Sequence, residues 1–207
     1  MTPSKSTSTA FSALILASGL SERMGKPKPL LMWDQSMTFL EKIISEYIQA
    51  GSIRVIVTVN SRVLPHCKLL EKFPKVQCIY NKHPDWGRMY SLKLGLEELK
   101  ESSYCFIQNV DNPHIDSAII KKIVQHADPE SWCSPEYKGV GGHPVLLPNS
   151  IINQILQEKR VNITLKDMLG RFPQKRVPMD NNSILKNINT PQDYLMFLED
   201  QRNLSKI

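Results

Sequence analysis

The sequence has few cysteines, and their spacing does not suit a metal site. Its 207 residues include four cysteines that stand far apart, with no Cys-x-x-Cys pair: Cys67, Cys78, Cys105 and Cys133. No histidine lies at zinc-ligand spacing from them, so the pattern argues against a zinc knuckle or a disulfide framework. A chain without such a framework is typical of a reducing compartment, and we expect a cytoplasmic protein.

Long apolar runs are absent as well. The longest, such as residues 53–59, fall far short of the roughly 20 residues that a membrane-spanning helix requires. The first ten residues contain six Ser or Thr and no apolar segment, which predicts a flexible tail over residues 1–10 and not a signal peptide. We expect no membrane partner, and one domain over residues 11–207, because a chain of this length buries one sizeable core.

The net charge of +6 favours an anionic partner, such as a nucleotide, a phosphorylated substrate or a nucleic acid. The densest basic region, residues 157–176, carries six basic and two acidic side chains, but such a run is often a solvated face. Basic and aromatic residues do not alternate as they do in proteins that bind single strands. We therefore expect no nucleic-acid partner, although a nucleic-acid binder stays as one hypothesis.

Apolar runs alternate with amphipathic stretches through the first 128 residues. This pattern predicts a mostly parallel α/β sheet flanked by helices, with Asp116 as the N-cap of one helix. The predicted strands cover residues 11–17, 53–60, 75–80 and 104–110, and the predicted helices cover 38–51, 63–73, 89–100 and 116–127.

Beyond residue 128 the pattern changes. Two short strands, 131–137 and 142–148, flank a Gly-rich turn, and two helices follow over 149–159 and 163–172. The stretch 183–202 predicts a strand, a Thr-Pro turn and a closing helix that begins at the proline.

The loop after the first strand lacks both common phosphate-binding motifs. In "LILASGLSERMGKPKPLL", residues 14–31, five residues separate Gly19 from Gly25, and Lys26 is followed by Pro27. A Walker A loop needs four residues between its glycines and a hydroxyl residue after the lysine. The dinucleotide fingerprint Gly-x-Gly-x-x-Gly is absent too.

The same loop nevertheless has the composition of a ligand site. Ligands of α/β sheets bind at the carboxyl ends of strands, and the first strand ends at Ala17. Ala17, Ser18 and Gly19 are small enough for a close backbone approach, while Arg23, Lys26 and Lys28 supply cations for phosphate oxygens. The alternative is a strand followed by a basic surface loop.

This stretch resembles the signature L-A-A/G-G-x-S-x-R-M-G-x-x-K-x-L of the MobA-like nucleotidyltransferases, which include molybdenum cofactor cytidylyltransferases and guanylyltransferases. Four further blocks resemble the family in order: "NKHPDWGRMYSLKLGL" from Asn81, "VDNP" from Val110, "GGHPVLLP" from Gly141 and "NINTPQDY" from Asn187. The second block is shortened around Gly87 and has Arg88 near the usual Met.

The resemblance implies a fold and a set of residue roles. The fold would be a Rossmann-like, GT-A-like sheet in a three-layer α/β/α arrangement. Leu16, Ala17, Ser18 and Gly19 would cradle the nucleotide, and Arg23 and Lys28 would neutralise its triphosphate. Gly87 and Ser91 would lie by the base or ribose. Arg23, Lys28 and Asp111 form the expected catalytic set.

The resemblance also implies a metal and an acceptor site. Asp111 would bind Mg²⁺ with help from Asn187 or Asn189, and His143 would contact the acceptor. Asp111 and His143 each have a plainer alternative, as a turn residue and as a structural histidine. Trp86, the other candidate for a contact with the acceptor, has the alternative of a packing residue.

Some residues depart from the family pattern. Ser18 replaces Ala or Gly, Val110 replaces the Gly before the metal Asp, and Asn187 and Asn189 are closer to the guanylyltransferase branch, while Pro27-Lys28 is closer to the cytidylyltransferase branch. The base therefore stays open, with CTP favoured and GTP as the alternative.

The leading hypothesis is a Mg²⁺-dependent nucleotidyltransferase that transfers CMP from CTP to a phosphorylated acceptor such as molybdopterin and releases pyrophosphate. A phosphosugar or another phosphorylated alcohol is the alternative acceptor. A nucleotide-binding protein without turnover is the competing class.

Overall fold

The computed structural model of the protein describes residues 9–160 and 162–204. In this part of the chain eight strands form one sheet: β1 Ser12–Ala17, β2 Val55–Val59, β3 Val76–Tyr80, β4 Tyr104–Asn109, β5 Trp132–Tyr137, β6 Val140–Gly141, β7 Val145–Pro148 and β8 Gln174–Pro178. Six α-helices accompany them: α1 Phe39–Gln49, α2 Arg88–Glu97, α3 Ser117–Val124, α4 Asn149–Gln157, α5 Leu165–Leu169 and α6 Pro191–Leu204. The first eight residues of the tail predicted over residues 1–10 lie outside the described residues.

The sheet has the order β3-β2-β1-β4-β7-β5-β6, and β8 pairs with β5. Strands β1 to β4 are parallel, as is the β5–β8 pair, whereas β7 runs antiparallel to β4 and to β5. The predicted mostly parallel α/β sheet is confirmed. Because β2 and β4 flank β1 on opposite sides, the order of the strands reverses at β1. Folds of this kind bind ligands at the carboxyl end of the strand where the order reverses.

The two faces of the sheet are buried by different helices. Successive strand residues point to opposite faces, so Ala13 and Ile15 pack in one core with α1 and α3, while Leu14 packs in the other with α2 and α4. These cores make the three-layer α/β/α arrangement expected from the resemblance. Gly95 lets α2 approach β1, since a Cβ there would lie 2.2 Å from Leu14 Cδ1.

Local sequence sets the helix ends. Thr38 accepts a hydrogen bond from the backbone N–H of Glu41, whose carboxylate accepts one in return from the backbone of Thr38, and this capping box starts α1. Asp116 accepts from the backbone N–H of Ile119, which confirms the predicted N-cap of α3. Helix α6 begins at Pro191, as predicted.

Three predictions about secondary structure need correction. The strand expected at the start of residues 183–202 is a 3-10 turn, Ser183–Leu185, and the helix predicted over 63–73 is a 3-10 helix, Leu64–Leu70. The Gly-rich turn contains β6. The sequence does not predict β8, because only Val177 of its five residues is buried and the strand therefore shows no apolar alternation.

In the described residues, no helix combines the length and the apolar character needed to cross a membrane.

Candidate active site

The loop that follows β1 is held by side chains from the next strand's loop. Asn60, which follows β2, donates hydrogen bonds of 3.1 Å from its amide Nδ2 to the backbone oxygens of Ser18 and Gly19. Arg62 donates to the backbone oxygen of Leu20 over 3.1 Å. These bonds occupy carbonyl groups of the loop and fix its path at the carboxyl end of the sheet.

The loop also folds back on itself. Ser21 and Gly25 both have positive φ, 57° and 71°, and they bracket a single 3-10 turn. The hydroxyl of Ser21 accepts a hydrogen bond of 3.2 Å from the backbone N–H of Lys28, while Met24 is buried in a small core below. As a result Arg23 is exposed and Lys28 turns toward the end of the sheet.

Lys28 contacts side-chain oxygens of two residues from distant parts of the chain. Its Nζ donates a hydrogen bond of 2.6 Å to Oδ1 of Asn189 and forms an ion pair of 3.5 Å with Oδ2 of Asp111. The side chains are only 13% and 28% exposed for Lys28 and Asp111. The structure therefore brings three of the predicted residues together.

Asp111 follows β4 and is fixed through its backbone. Its carbonyl oxygen accepts a hydrogen bond of 2.7 Å from the backbone N–H of Ile188, which carries the closing segment onto the site. Its second carboxylate oxygen, Oδ1, is buried and has no hydrogen-bond partner among the described residues. Asn187, in contrast, is exposed.

A network of buried hydroxyl and amide groups lies on the other side of the loop. The hydroxyl of Ser18 donates to Oγ of Ser91 over 2.8 Å, and Asn81 Nδ2 donates to the same oxygen over 2.9 Å. Ser18, Ser91 and Asn81 are 2%, 6% and 0% exposed. The network joins the loop after β1 to the start of α2 and to the end of β3.

Three neighbouring cavities open along this end of the sheet. The inner cavity, about 230 Å³, is lined among others by Leu16, Ser18, Gly19, Lys28, Ser91 and Asp111. The outer cavity, about 370 Å³, includes Arg23 and Asn189 and shares Lys28 with the inner one. The large cavity, about 740 Å³, includes Trp86, Trp132 and His143. Gly87 and Arg88 line both the inner and the large cavity.

His143 and Arg88 lie close enough to influence each other. Burial lowers the pKa of His143, the positive charge of Arg88 lowers it further, and Asp111 opposes both effects. Desolvation of the guanidinium by the surrounding protein lowers the pKa of Arg88, and the negative charge of Asp111 opposes this effect. Both residues line the large cavity.

Most of the residues predicted from the sequence meet here. The inner cavity is lined by seven of them: Leu16, Ser18, Gly19, Lys28, Gly87, Ser91 and Asp111. The outer cavity is lined by Arg23, Lys28 and Asn189, and the large cavity by Gly87 and His143. Ala17 instead packs in the core beneath. Sequence reasoning missed Asn60, Asn81 and Arg88, although Arg88 stood out as a departure from the family pattern.

Comparison with known proteins identifies the family of this chain. The family model described as the MobA-like NTP transferase domain matches residues 13–173. The chain belongs to the MobA-like NTP transferase family. It is a nucleotidyltransferase, and the three-layer sheet is the fold of this family.

Two curated members of the MobA-like family are similar to almost the whole chain. The molybdenum cofactor cytidylyltransferase of Escherichia coli K12 is 28% identical over 188 residues, which are 90% of this chain and 95% of that protein. A probable molybdenum cofactor guanylyltransferase of Bacillus cytotoxicus is 27% identical over 199 residues, 91% of this chain and 96% of that protein.

A solved structure from Mycobacterium tuberculosis H37Rv, a complex with manganese, has the same fold. Its TM-score is 0.73 at 20% identity, and the match covers 92% of this chain and 99% of that one.

Proposed function

We propose that this nucleotidyltransferase transfers CMP from CTP to the phosphate of molybdopterin, with Mg²⁺ as cofactor, and releases pyrophosphate. The observation that carries the proposal is the convergence of Lys28, Asp111 and Asn189 where the inner and outer cavities meet. A cation beside an acidic and an amide oxygen suits a bound triphosphate and its metal.

The triphosphate would extend from the inner cavity into the outer one. Lys28 lines both cavities and Arg23 lines the outer one, so the two cations would neutralise successive phosphates. An oxygen of the acceptor phosphate forms a bond to the α-phosphorus, while the bond from that phosphorus to the β-phosphate oxygen breaks. The electron pair leaves with pyrophosphate. Preorganised positive charge lowers the barrier of such a step.

The residues present fit Mg²⁺ if phosphate oxygens and waters complete its shell. Oδ1 of Asp111 is a buried oxygen without a hydrogen-bond partner in the described part of the chain, and Asn189 adds an amide oxygen that accepts from Lys28. The described residues contain no group of three His, Cys, Asp or Glu that could hold a metal alone. Mg²⁺ commonly binds through one or two carboxylates and substrate phosphates, where it orients them and offsets their charge. The manganese complex of the mycobacterial relative supports a divalent ion in this fold.

The acceptor would occupy the large cavity. This cavity shares Gly87 and Arg88 with the inner one, so a phosphate at the junction reaches the α-phosphorus of the nucleotide. His143 lines the same cavity and would contact the acceptor there. Tryptophans at positions 86 and 132 offer faces for a planar ring.

The choice of CTP over GTP rests on the relatives and on the loop. The curated cytidylyltransferase of Escherichia coli is similar over 90% of the chain, and the Pro27-Lys28 pair resembles its branch. In the loop itself, a buried serine at position 18 stands where the family has Ala or Gly. It lies next to Ser91 in the inner cavity, where the base or ribose of the nucleotide would bind.

Pyrophosphate release with each of the four ribonucleoside triphosphates, Mg²⁺ and molybdopterin tests the proposal. We expect turnover with CTP, little with the others, and none after removal of divalent metal. A panel of phosphosugars and phospho-alcohols decides the acceptor. Binding of CTP without turnover on any acceptor would instead favour a non-catalytic nucleotide-binding protein, and tight binding of single-stranded nucleic acid at physiological salt would contradict the proposal.

The metal assignment has its own variant. Asp111→Asn removes the carboxylate charge at nearly constant volume, and we expect turnover to fall by about a hundredfold or more and Mn²⁺ binding in the presence of CTP to weaken. Asp180→Asn is the matched control, because the side chain of Asp180 is 99% exposed and pairs only loosely with Lys122. Unchanged Mn²⁺ binding by Asp111→Asn would show that the metal assignment is wrong.

A further inference from the structure

Arg88 occupies the junction between the inner and the large cavity. It is the first residue of α2, directly after Gly87, whose φ of 88° turns the chain into the helix. Arg88 lines both cavities, as does Gly87. A charged group on such a shared wall can contact molecules in either cavity.

The guanidinium is oriented but not neutralised. Its Nη2 donates a hydrogen bond of 2.6 Å to the amide Oδ1 of Asn109, the last residue of β4. Asp111 is near enough to influence it, yet no carboxylate forms an ion pair with Arg88 in the described part of the chain. Since a guanidinium has five N–H donors, a neutral amide partner leaves capacity for an anion.

The two cations around Asp111 divide the site. Lys28 lies on the side of the outer cavity, 3.5 Å from the carboxylate of Asp111, and Arg88 lies on the side of the large cavity, with His143. In the reaction two anionic phosphates approach each other, so repulsion opposes the step unless positive charge stands between them. Lys28 serves the triphosphate, and Arg88 is the cation that faces the other partner.

We propose that Arg88 is a catalytic residue that binds the phosphate of the acceptor and holds its attacking oxygen toward the α-phosphorus. The planar fork of arginine suits a phosphate dianion, which it can bind through two parallel N–H donors, better than a neutral hydroxyl acceptor. This inference rests on the proposed function, since it assigns a role in that reaction. It also restricts the acceptor to a phosphomonoester, whatever the rest of the molecule is.

The test compares wild-type protein with Arg88→Met and Arg88→Lys. Methionine is the residue that the family usually has near this position, and it keeps an unbranched side chain, although a shorter one, without the charge. We expect Arg88→Met to lower kcat/KM for the acceptor by about a hundredfold, and Arg88→Lys to recover about a tenth of the wild-type value. The affinity for the α,β-methylene analogue of CTP with Mg²⁺ should change by less than about threefold, because Lys28 and Arg23 bind the triphosphate.

A binding measurement keeps this inference separate from the proposed function. With the methylene CTP analogue and Mg²⁺ bound, methyl phosphate is titrated and its binding is followed by NMR line broadening. We expect saturable binding to wild-type protein and to Arg54→Met, which removes an arginine at the amino end of β2, away from the three cavities, and loss of binding in Arg88→Met. This result would support the role of Arg88 even if molybdopterin proves not to be the acceptor.

Two outcomes would overturn the inference. One is turnover in which Arg88→Met keeps the acceptor KM and kcat of the wild type, and this outcome would leave the proposed function standing. The other is a parallel loss of nucleotide and methyl phosphate affinity, which would place Arg88 on the triphosphate. If Arg88→Met does not fold, as judged by circular dichroism, Arg88→Gln and Arg88→Lys give the same comparison.

Discussion

Lys28 and Asn189 meet across 161 positions of the chain, where the lysine Nζ donates to the amide oxygen over 2.6 Å. The bond fixes the lysine before any ligand arrives, so little side-chain entropy remains to be lost when a phosphate replaces the amide.

The first prediction compares the two lysines of the loop. Lys28→Ala should lower kcat/KM for the nucleotide by about two to three orders of magnitude, because it removes a preorganised charge from both cavities. Lys26→Ala should change it by less than about twofold, since Lys26 is exposed and lines neither the inner nor the outer cavity. Steady-state kinetics with varied nucleotide decides, and equal losses in the two variants would contradict the assignment.

The second prediction concerns the buried network of Ser18, Ser91 and Asn81. Ser91→Ala removes the oxygen that accepts from both partners, and their remaining contact, Asn81 Nδ2 to Ser18 Oγ, is 3.4 Å long. We expect a loss of about 2 kcal/mol in the free energy of unfolding for Ser91→Ala and about 1 kcal/mol for Ser18→Ala.

Urea unfolding of the two single variants and the double variant measures the coupling in this network. The double variant should lose less than the sum of the two single losses, because one bond is removed in both. A loss in the double variant equal to the sum of the two single losses would mean that the three groups do not act as a network.

The third prediction uses two adjacent glycines. A Cβ at Gly142 would lie 2.5 Å from the backbone oxygen of Ile184, which also accepts from the backbone N–H of His143. Gly142→Ala should therefore destabilise the protein by about 1–3 kcal/mol and raise the acceptor KM. At Gly141 the nearest atom would be Oγ of Ser134, 3.8 Å away, so Gly141→Ala is the control and should fold with nearly wild-type stability.

The fourth prediction concerns His114, which lies against the rings of Trp33 and Phe197 with centroid distances of 5.4 and 5.6 Å. Burial, helped by the charges of Lys186 and Lys42, lowers the pKa of His114 from 6.5 to about 4. The unfolded chain binds the proton at higher pH than the folded one, so stability is fully present above pH 6.5 and is lost as the pH falls toward 4.

Melting temperatures between pH 4 and pH 7 test this expectation. His114→Phe should reduce the fall in Tm on acidification, and His66→Asn, which removes an exposed histidine, is the control. A His114→Phe profile as steep as that of the wild type would assign the acid sensitivity to other groups.

The sequence predicts those parts of the structure whose reasons are local. Strand β1 is a continuous apolar run, and Asp116 caps α3 because its side chain reaches the backbone three residues ahead. The family resemblance then places Lys28 and Asp111 in the same site. Strand β8 escaped prediction because it is an edge strand that buries little more than Val177, so its pairing with β5 leaves no periodic pattern.

Long-range polar contacts also have no local pattern. The bonds from Asn60 to the loop carbonyls, and from Asn81 to Ser91, depend on how β2 and β3 lie beside β1. Neither the spacing of residues nor the composition predicts that Arg88 lies on the wall between two cavities. The departure from the family pattern at position 88 marks this residue as unusual, but it does not predict which cavities the residue lines.

The hydrogen bond between the carbonyl of Asp111 and the N–H of Ile188 has a practical consequence for anyone who shortens this protein. The family match ends at residue 173, whereas Ile188 and Asn189 lie beyond it. A chain trimmed to the matched boundaries would keep both charged groups, Lys28 and Asp111. It would lose the Asn189 amide that accepts from Lys28 and the Ile188 N–H that donates to the backbone of Asp111. Boundaries drawn from sequence similarity would thus cut through the site itself.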